Sequence, residues 1–293
     1  MNHRFHTLDV FTTTRFQGNP LAVVTDGDGL SNDQMQAIAR EMNLSETVFV
    51  QKPTDDRALA RLRIFTTRAE LKLAGHPVVG TWFLLAELGV VPAQEGGVHI
   101  LQQTGAGILP VEIHFKDGRP QRVTMTAMPA AFKPCKINKK KMAAALGISP
   151  KDLSSQMEPE FVSTGIFNLM VPLRTRAALA KIQMSMSDLA HLLGKQGAMA
   201  YCFAPGNGSA AFSRGMLPWE QYEDPATGSA AGSLGAYLVK HGKLGAGHTL
   251  LISQGVEMGR PSQIEVEVTQ SGKKLTPRVS GAAVRVFEGT IRT

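Results

Sequence analysis

Two cysteines in 293 residues exclude a disulfide scaffold, which needs several pairs in a much shorter chain. Aromatic residues make up only 6%, too few to pave a base-stacking surface. Neither sign of charge dominates: 31 Lys and Arg stand against 24 Asp and Glu, for a net charge of +7. With 43% hydrophobic residues, that balance excludes a disordered chain. No apolar run approaches the roughly 18 residues of a membrane span, since the longest, Val78 to Leu88, is interrupted by Glu87. The opening Met1-Asn2-His3-Arg4-Phe5-His6 has no apolar core of a secretion signal. The expectation is a soluble, cytoplasmic protein with no membrane and no nucleic-acid partner. Lys133, Lys136, Lys139, Lys140 and Lys141 form the one basic cluster, and with no aromatics interleaved it reads as a solvated helix start beside a linker. The mild positive balance suits a small anionic substrate.

Short strands and helices alternate along the chain. Phe5 to Val10 alternates as a strand, and a polar loop, Thr12 to Gly18, precedes Gly18-Asn19-Pro20 and the apolar run Leu21 to Val24. Ser31 to Met42 reads as a helix, because Ser31 and Gln34 have capping-box spacing and Met35, Ile38, Ala39 and Met42 share one face. Ile108 to Phe115 and Gln121 to Ala127 read as a hairpin around Lys116-Asp117-Gly118. Met128 to Lys136, with two prolines and no periodicity, is the linker candidate. Beyond it, Lys139 to Leu146, Thr175 to Leu193 and Ala230 to His241 read as helices, and the tail is β again.

An internal repeat organises this order. Residues 75–89 and 227–241 align without gaps at an offset of 152, with Gly80 on Gly232 and Thr81 on Ser233. Each segment is a Gly- or Pro-containing turn followed by a small-residue helix that is apolar nearly all round, the mark of a helix buried on all sides. Two halves follow, each wrapping β-strands around one central helix: residues 1–129 and 130–293, with the last strand, 281–293, free to return to the first half.

Buried helix starts carry chemistry, because their first N–H groups are unpaired and partially positive; they suit a carboxylate. His76 stands near the first start, Asp224 and Ser229 near the second, and Glu46 lies at a helix-to-strand junction between Leu44 and Val48. A carboxyl group in apolar surroundings can shuttle a proton. Taken singly, each has an ordinary role: an exposed loop carboxylate, a turn histidine, an N-cap aspartate, a small helix-start serine.

The order of motifs decides between these readings. Gly18-Asn19-Pro20-Leu21-Ala22-Val23, Asn43-Leu44-Ser45-Glu46-Thr47, Phe65-Thr66, Glu70-Leu71, Ala74-Gly75-His76-Pro77, Glu223-Asp224-Pro225-Ala226-Thr227-Gly228-Ser229-Ala230, Gln254-Gly255 and Gly259-Arg260-Pro261-Ser262 follow one another along nearly the whole chain. This series resembles the PhzF-like family of phenazine-biosynthesis isomerases. The resemblance implies the α+β, diaminopimelate-epimerase-like fold: two similar halves, each a β-barrel around a central helix, with the active site in the cleft between them. It also implies a cofactor-independent isomerase, without a metal, acting on a small carboxylate-bearing substrate, and a homodimer. Catalytic roles carry over to Glu46, His76 and Asp224. Substrate binding carries over to Gly75, Gly228, Ser229 and Asn19.

Two departures narrow the reading. The related epimerases place cysteines at the two helix starts; here neither start holds one, and Cys135 and Cys202 lie elsewhere. Val78 follows Gly-His-Pro where many relatives carry threonine. The chemistry expected is proton movement at carbon, with Glu46 as base, His76 and Asp224 orienting the substrate, and Ser229 with the helix-start amides holding negative charge. Three alternatives stay open: a Ser229-His76-Asp224 hydrolase, although no Gly-x-Ser-x-Gly elbow exists; a nucleotide binder at Gly206-Asn207-Gly208-Ser209-Ala210-Ala211; and a binding protein without catalysis.

Overall fold

A computed structural model describes residues 1–194 and 199–293. In chain order the elements are β1 (Asn2–Val10), β2 (Asn19–Val24), α1 (Asn32–Met42), β3 (Thr47–Gln51), β4 (Ala60–Phe65), β5 (Glu70–Leu71), α2 (Gly75–Glu87), β6 (Gly96–Thr104), β7 (Gly107–Lys116) and β8 (Arg119–Thr126). They continue as β9 (Ala131–Pro134), α3 (Lys139–Ala145), β10 (Glu160–Ser163), β11 (Phe167–Pro172), α4 (Arg176–Ala180), α5 (Met186–Leu193), β12 (Ala200–Pro205) and β13 (Ala210–Leu217). The last are β14 (Tyr222–Asp224), α6 (Gly228–Lys240), β15 (Thr249–Gln254), β16 (Ser262–Ser271), β17 (Lys274–Gly281) and β18 (Ala283–Arg292). The fold is α+β. It divides into two compact units, residues 1–126 with 280–293, and residues 127–279. The sequence places the boundary after residue 129; residues 283–292 pair antiparallel with β1.

In the first unit β18, β1 and β2 pair antiparallel, β3 runs parallel to β2, β4 antiparallel to β3, β6 parallel to β4, and β7 antiparallel to β6. α2 packs on β1, β2, β3, β7, β8 and β18. Its residues from His76 to Trp82 are all buried, as expected of a helix apolar on every side. Trp82, fully buried, donates through Nε1 to Gln102 Oε1 at 2.8 Å, so its one polar atom is satisfied.

The second unit repeats this ladder. β10 and β11 are antiparallel, β12 is parallel to β11, β13 antiparallel to β12, β15 parallel to β13, and β16 antiparallel to β15. In each unit a short strand, β5 or β14, folds back on its predecessor just before the central helix. Both central helices have 13 residues, α2 starting at Gly75 and α6 at Gly228, an offset of 228 − 75 = 153. The repeat is thus one residue out of register with the ungapped sequence match at 152, and the counterpart of Ser229 is His76, not Pro77.

Three local expectations are corrected. The linker candidate contains β9, which pairs with β10; its Pro134 ends the strand, where a missing N–H costs little. The helix expected over 175–193 is two helices. Between them the N–H groups of Gln183 and Ser185 donate to the carbonyls of Leu146 and Ala145 at the end of α3, and Ser185 then caps α5 through its hydroxyl. Gly206 to Ser209 turns β12 into β13, which opens at Ala210 and Ala211, with Gly206 N–H on the Ala210 carbonyl at 2.9 Å. A strand follows where a dinucleotide site needs a helix start, so the nucleotide-binding reading fails.

Candidate active site

In the first unit four of the expected residues come together. Ser31 and Gln34 make the reciprocal capping box that starts α1, and left-handed Asn43 ends it with its N–H on the Ala39 carbonyl. The chain then turns through Ser45 and Glu46 into β3. β3 runs parallel to β2, with Ala22 opposite Thr47, so Glu46 and Asn19 enter the sheet at the same end. Gly18 delivers Asn19 there. Its φ is +65°, and a Cβ on it would stand 2.3 Å from the Val10 carbonyl oxygen, so only glycine lets the loop close on the end of β1.

His76, second residue of α2, is 6% exposed. Burial pushes its pKa from 6.5 down to about 3, so the ring is neutral. The Asn19 amide nitrogen lies 3.5 Å from His76 Nδ1. An amide NH₂ only donates, so Nδ1 accepts and the ring proton sits on Nε2. Nε2 faces Glu46 Oε2 at 3.4 Å. Asn19 thus fixes the tautomer that turns a donor toward the carboxylate. The Glu46 side chain is 16% exposed, largely dry yet reachable. Gly75 is the first residue of α2, whose N-cap, Ala74, supplies no side-chain hydrogen bond; the first-turn amides keep their partial positive charge.

The second unit holds Asp224, Gly228 and Ser229. Asp224 is buried at the end of β14, opposite Gly215 of β13. It is not the N-cap of α6; Thr227 is. The Thr227 hydroxyl donates to Asp224 Oδ2 and makes no cap bond to the helix. Gly228 and Ser229 are therefore the first two residues of a helix start without a side-chain cap, like that of α2. The Ser229 carbonyl accepts from the Thr164 hydroxyl at 3.1 Å. Just before Asp224, Glu223 takes a two-pronged bond from Arg214, Nε to Oε1 at 2.9 Å and Nη2 to Oε2 at 2.7 Å, which pins β14 to β13.

Sequence reasoning assigned no role to Tyr201, Ser213 or Gln254. They form a buried hydrogen-bonded group with Asp224 and Thr227. The only sequence signal for it is the Gln254-Gly255 pair among the ordered motifs. The cysteines stand apart. Cys202 is buried on β12, and burial pushes its thiol up to about 12; burial also raises Cys135. Neither is a thiolate near neutral pH. Among the described residues no three His, Cys, Asp or Glu are grouped to hold a metal, and no helix is long and apolar enough to cross a membrane.

The family described as phenazine biosynthesis-like protein, PhzC-PhzF, matches residues 8–289. An uncharacterized isomerase of Mesorhizobium japonicum is 37% identical over 97% of this chain and 96% of its own. The trans-2,3-dihydro-3-hydroxyanthranilate isomerase of Pseudomonas aeruginosa is 35% identical over 98% of each chain. The crystal structure of a PhzF-family phenazine biosynthesis protein of Bacillus anthracis superposes with a TM-score of 0.90 at 27% identity, covering 100% of both chains. With that family match running over nearly the whole chain and relatives of 35–37% identity covered almost end to end, the chain belongs to the PhzF family of phenazine biosynthesis-like isomerases.

Proposed function

We propose that the protein is a cofactor-independent isomerase that moves a proton between two carbons of a small amino- or hydroxy-acid-like carboxylate. The observation that carries this reading is the Glu46 carboxylate facing the Nε2–H of a buried, neutral His76 at 3.4 Å. Glu46 takes the proton from an allylic or α carbon, the electron pair moves into the adjacent π system, and the same carboxyl returns the proton at a second carbon. No atom is gained or lost. His76 holds the carboxylate in place, with Nδ1 on Asn19 and Nε2 on Glu46. Asp224 and Ser229 are assigned to the same substrate, as the family resemblance implies. The uncapped starts of α2, with Gly75, and of α6, with Gly228, each present first-turn amides that suit a carboxylate. Acid–base transfer of this kind contributes roughly 10²–10⁴-fold; positioning and electrostatics supply the rest.

Proton NMR in D₂O tests this. The protein is mixed with small cyclic and open-chain amino and hydroxy acids, including trans-2,3-dihydro-3-hydroxyanthranilate, the substrate in the name of the Pseudomonas aeruginosa relative. Wild type is expected to exchange or isomerise at least one of them. Glu46→Gln is expected to lose this by at least about 10²-fold with an unchanged circular dichroism spectrum. Full turnover in Glu46→Gln removes Glu46 as the base. Absence of exchange in wild type with every acid, despite ligand-induced thermal shifts, favours a binding protein without catalysis.

A further inference from the structure

The ordered motifs at Gln254-Gly255 and Gly259-Arg260-Pro261-Ser262 have no part in the chemistry above, yet they close on the turn that carries Asp224. Gln254 is completely buried. Its Oε1 accepts from the Tyr201 hydroxyl at 2.8 Å and from the Thr227 N–H at 3.1 Å. Its Nε2 donates to the Asp224 carbonyl at 2.7 Å and to Thr227 Oγ1 at 3.0 Å. Two donors and two lone pairs use the whole capacity of the amide. Gly255 packs beneath the turn: with φ +75°, a Cβ there would lie 2.6 Å from the Pro225 carbonyl oxygen and 2.4 Å from that of Arg260. Ser262 Oγ lies 3.0 Å from the Pro225 carbonyl oxygen.

The bonds also have a direction. Ser213 donates to Tyr201 Oη at 2.8 Å, so the phenol proton points to Gln254 Oε1. Burial and the Asp224 charge both push the Tyr201 phenol up, and it stays a donor. The amide oxygen is thereby fixed on the Tyr201 side and the NH₂ on the Thr227 side. Since Thr227 Oγ1 accepts from that NH₂, its own proton goes to Asp224 Oδ2.

We propose that Ser213, Tyr201, Gln254 and Thr227 are positioning residues: a one-way chain of donors that delivers a hydrogen bond to Asp224 and holds it ionised in one orientation. A carboxylate that accepts such a bond is favoured in its charged form, and a bond to a charged acceptor in a dry site is strong. Arg214 of β13 and Glu223 of β14 are closed on each other, and α6 brings no acidic residue in its first turn.

This inference rests on Asp224 taking part in the reaction, so the test reads the carboxyl directly as well as turnover. The protein is labelled with carbon-13 at aspartate side-chain carboxyls, and the Asp224 resonance is assigned by its loss in Asp224→Asn. Its titration is followed in wild type, Thr227→Val, Thr227→Ser and Tyr201→Phe. Thr227→Val is expected to raise the midpoint by about one pH unit. Tyr201→Phe, which removes a donor that never touches Asp224, is expected to raise it by less. Thr227→Ser is expected to restore the wild-type midpoint, a rescue that a packing role would not give. Turnover is expected to fall in kcat more than to rise in KM. An unmoved midpoint in Thr227→Val overturns the proposal, and so does a Tyr201→Phe midpoint equal to wild type. If Thr227→Val does not fold, Thr227→Ala takes its place with the same expectation. Midpoints that move as stated while Asp224→Asn keeps full turnover leave the chain standing and refute the role of Asp224 in the reaction.

Discussion

Glu46 and His76 meet through Oε2 and Nε2 at 3.4 Å, and the nitrogen that faces the carboxylate carries the ring proton because Asn19 occupies the other one. The proposed base, the donor that faces it and the residue that sets the donor's tautomer are thus drawn from three segments: the entry to β3, the first turn of α2 and the first residue of β2.

Asn19→Asp tests this order. An aspartate at this position accepts from Nδ1–H, so the proton leaves Nε2 and a lone pair faces Glu46. Turnover is expected to fall on the order of 10²-fold, and the nitrogen-15 shifts of His76 are expected to exchange between the two ring nitrogens. Unchanged shifts would show that Asn19 does not set the tautomer.

The buried neutral imidazole also makes stability depend on pH. In the unfolded chain His76 binds a proton below its ordinary pKa of 6.5, whereas in the folded chain it does so only near 3. The unfolded state therefore binds more protons between these values. The contribution of His76 is complete above 6.5 and is lost as pH falls, by about 1.4 kcal/mol per unit. Between about pH 7 and about pH 5, wild type is expected to lose about 2 kcal/mol more stability than His76→Gln, measured by urea unfolding. Parallel losses in the two proteins would contradict a neutral folded-state ring.

Arg214 and Glu223 form a buried pair whose second guanidinium edge bonds the carbonyls of Leu179 and Ile182 at 3.3 and 2.9 Å. Arg214→Met leaves the Glu223 charge buried without its partner. The expected cost is roughly 3–5 kcal/mol in urea unfolding. The double variant Arg214→Met with Glu223→Leu is expected to recover most of it. A double variant as weak as the single one would place the cost in the lost carbonyl contacts instead.

Much of this arrangement is legible in the sequence because it is local. Ser31 and Gln34 cap α1 through a three-residue spacing, and Lys116-Asp117-Gly118 turns a hairpin because Asp117 and Gly118 take positive φ. The central helices are visible because no Asp, Glu, Lys or Arg interrupts either one before its last residue. The repeat register is off by one because in such a helix small residues match at neighbouring offsets, and only the capping positions Ala74 and Thr227 fix the true one. The Asp224 chain is invisible for the opposite reason. Tyr201, Ser213 and Gln254 reach the turn from three different strands, and side-chain hydrogen bonds between distant strands leave no periodic trace. The break between α4 and α5 is likewise set by the carbonyls of another helix, α3.

The pairing of β18 with β1 dictates an order of assembly. β1 spans residues 2–10 and receives one of its two neighbours from residues 283–292. The second unit, residues 127–279, is continuous, so on a ribosome all of its strands emerge before the first unit has its last. The segment made first is completed last. Until then one flank of β1 is an unpaired edge, the kind of surface that recruits wrong strands. Closure of that flank joins segments at nearly the greatest separation the chain allows, a contact of the type that slows folding most.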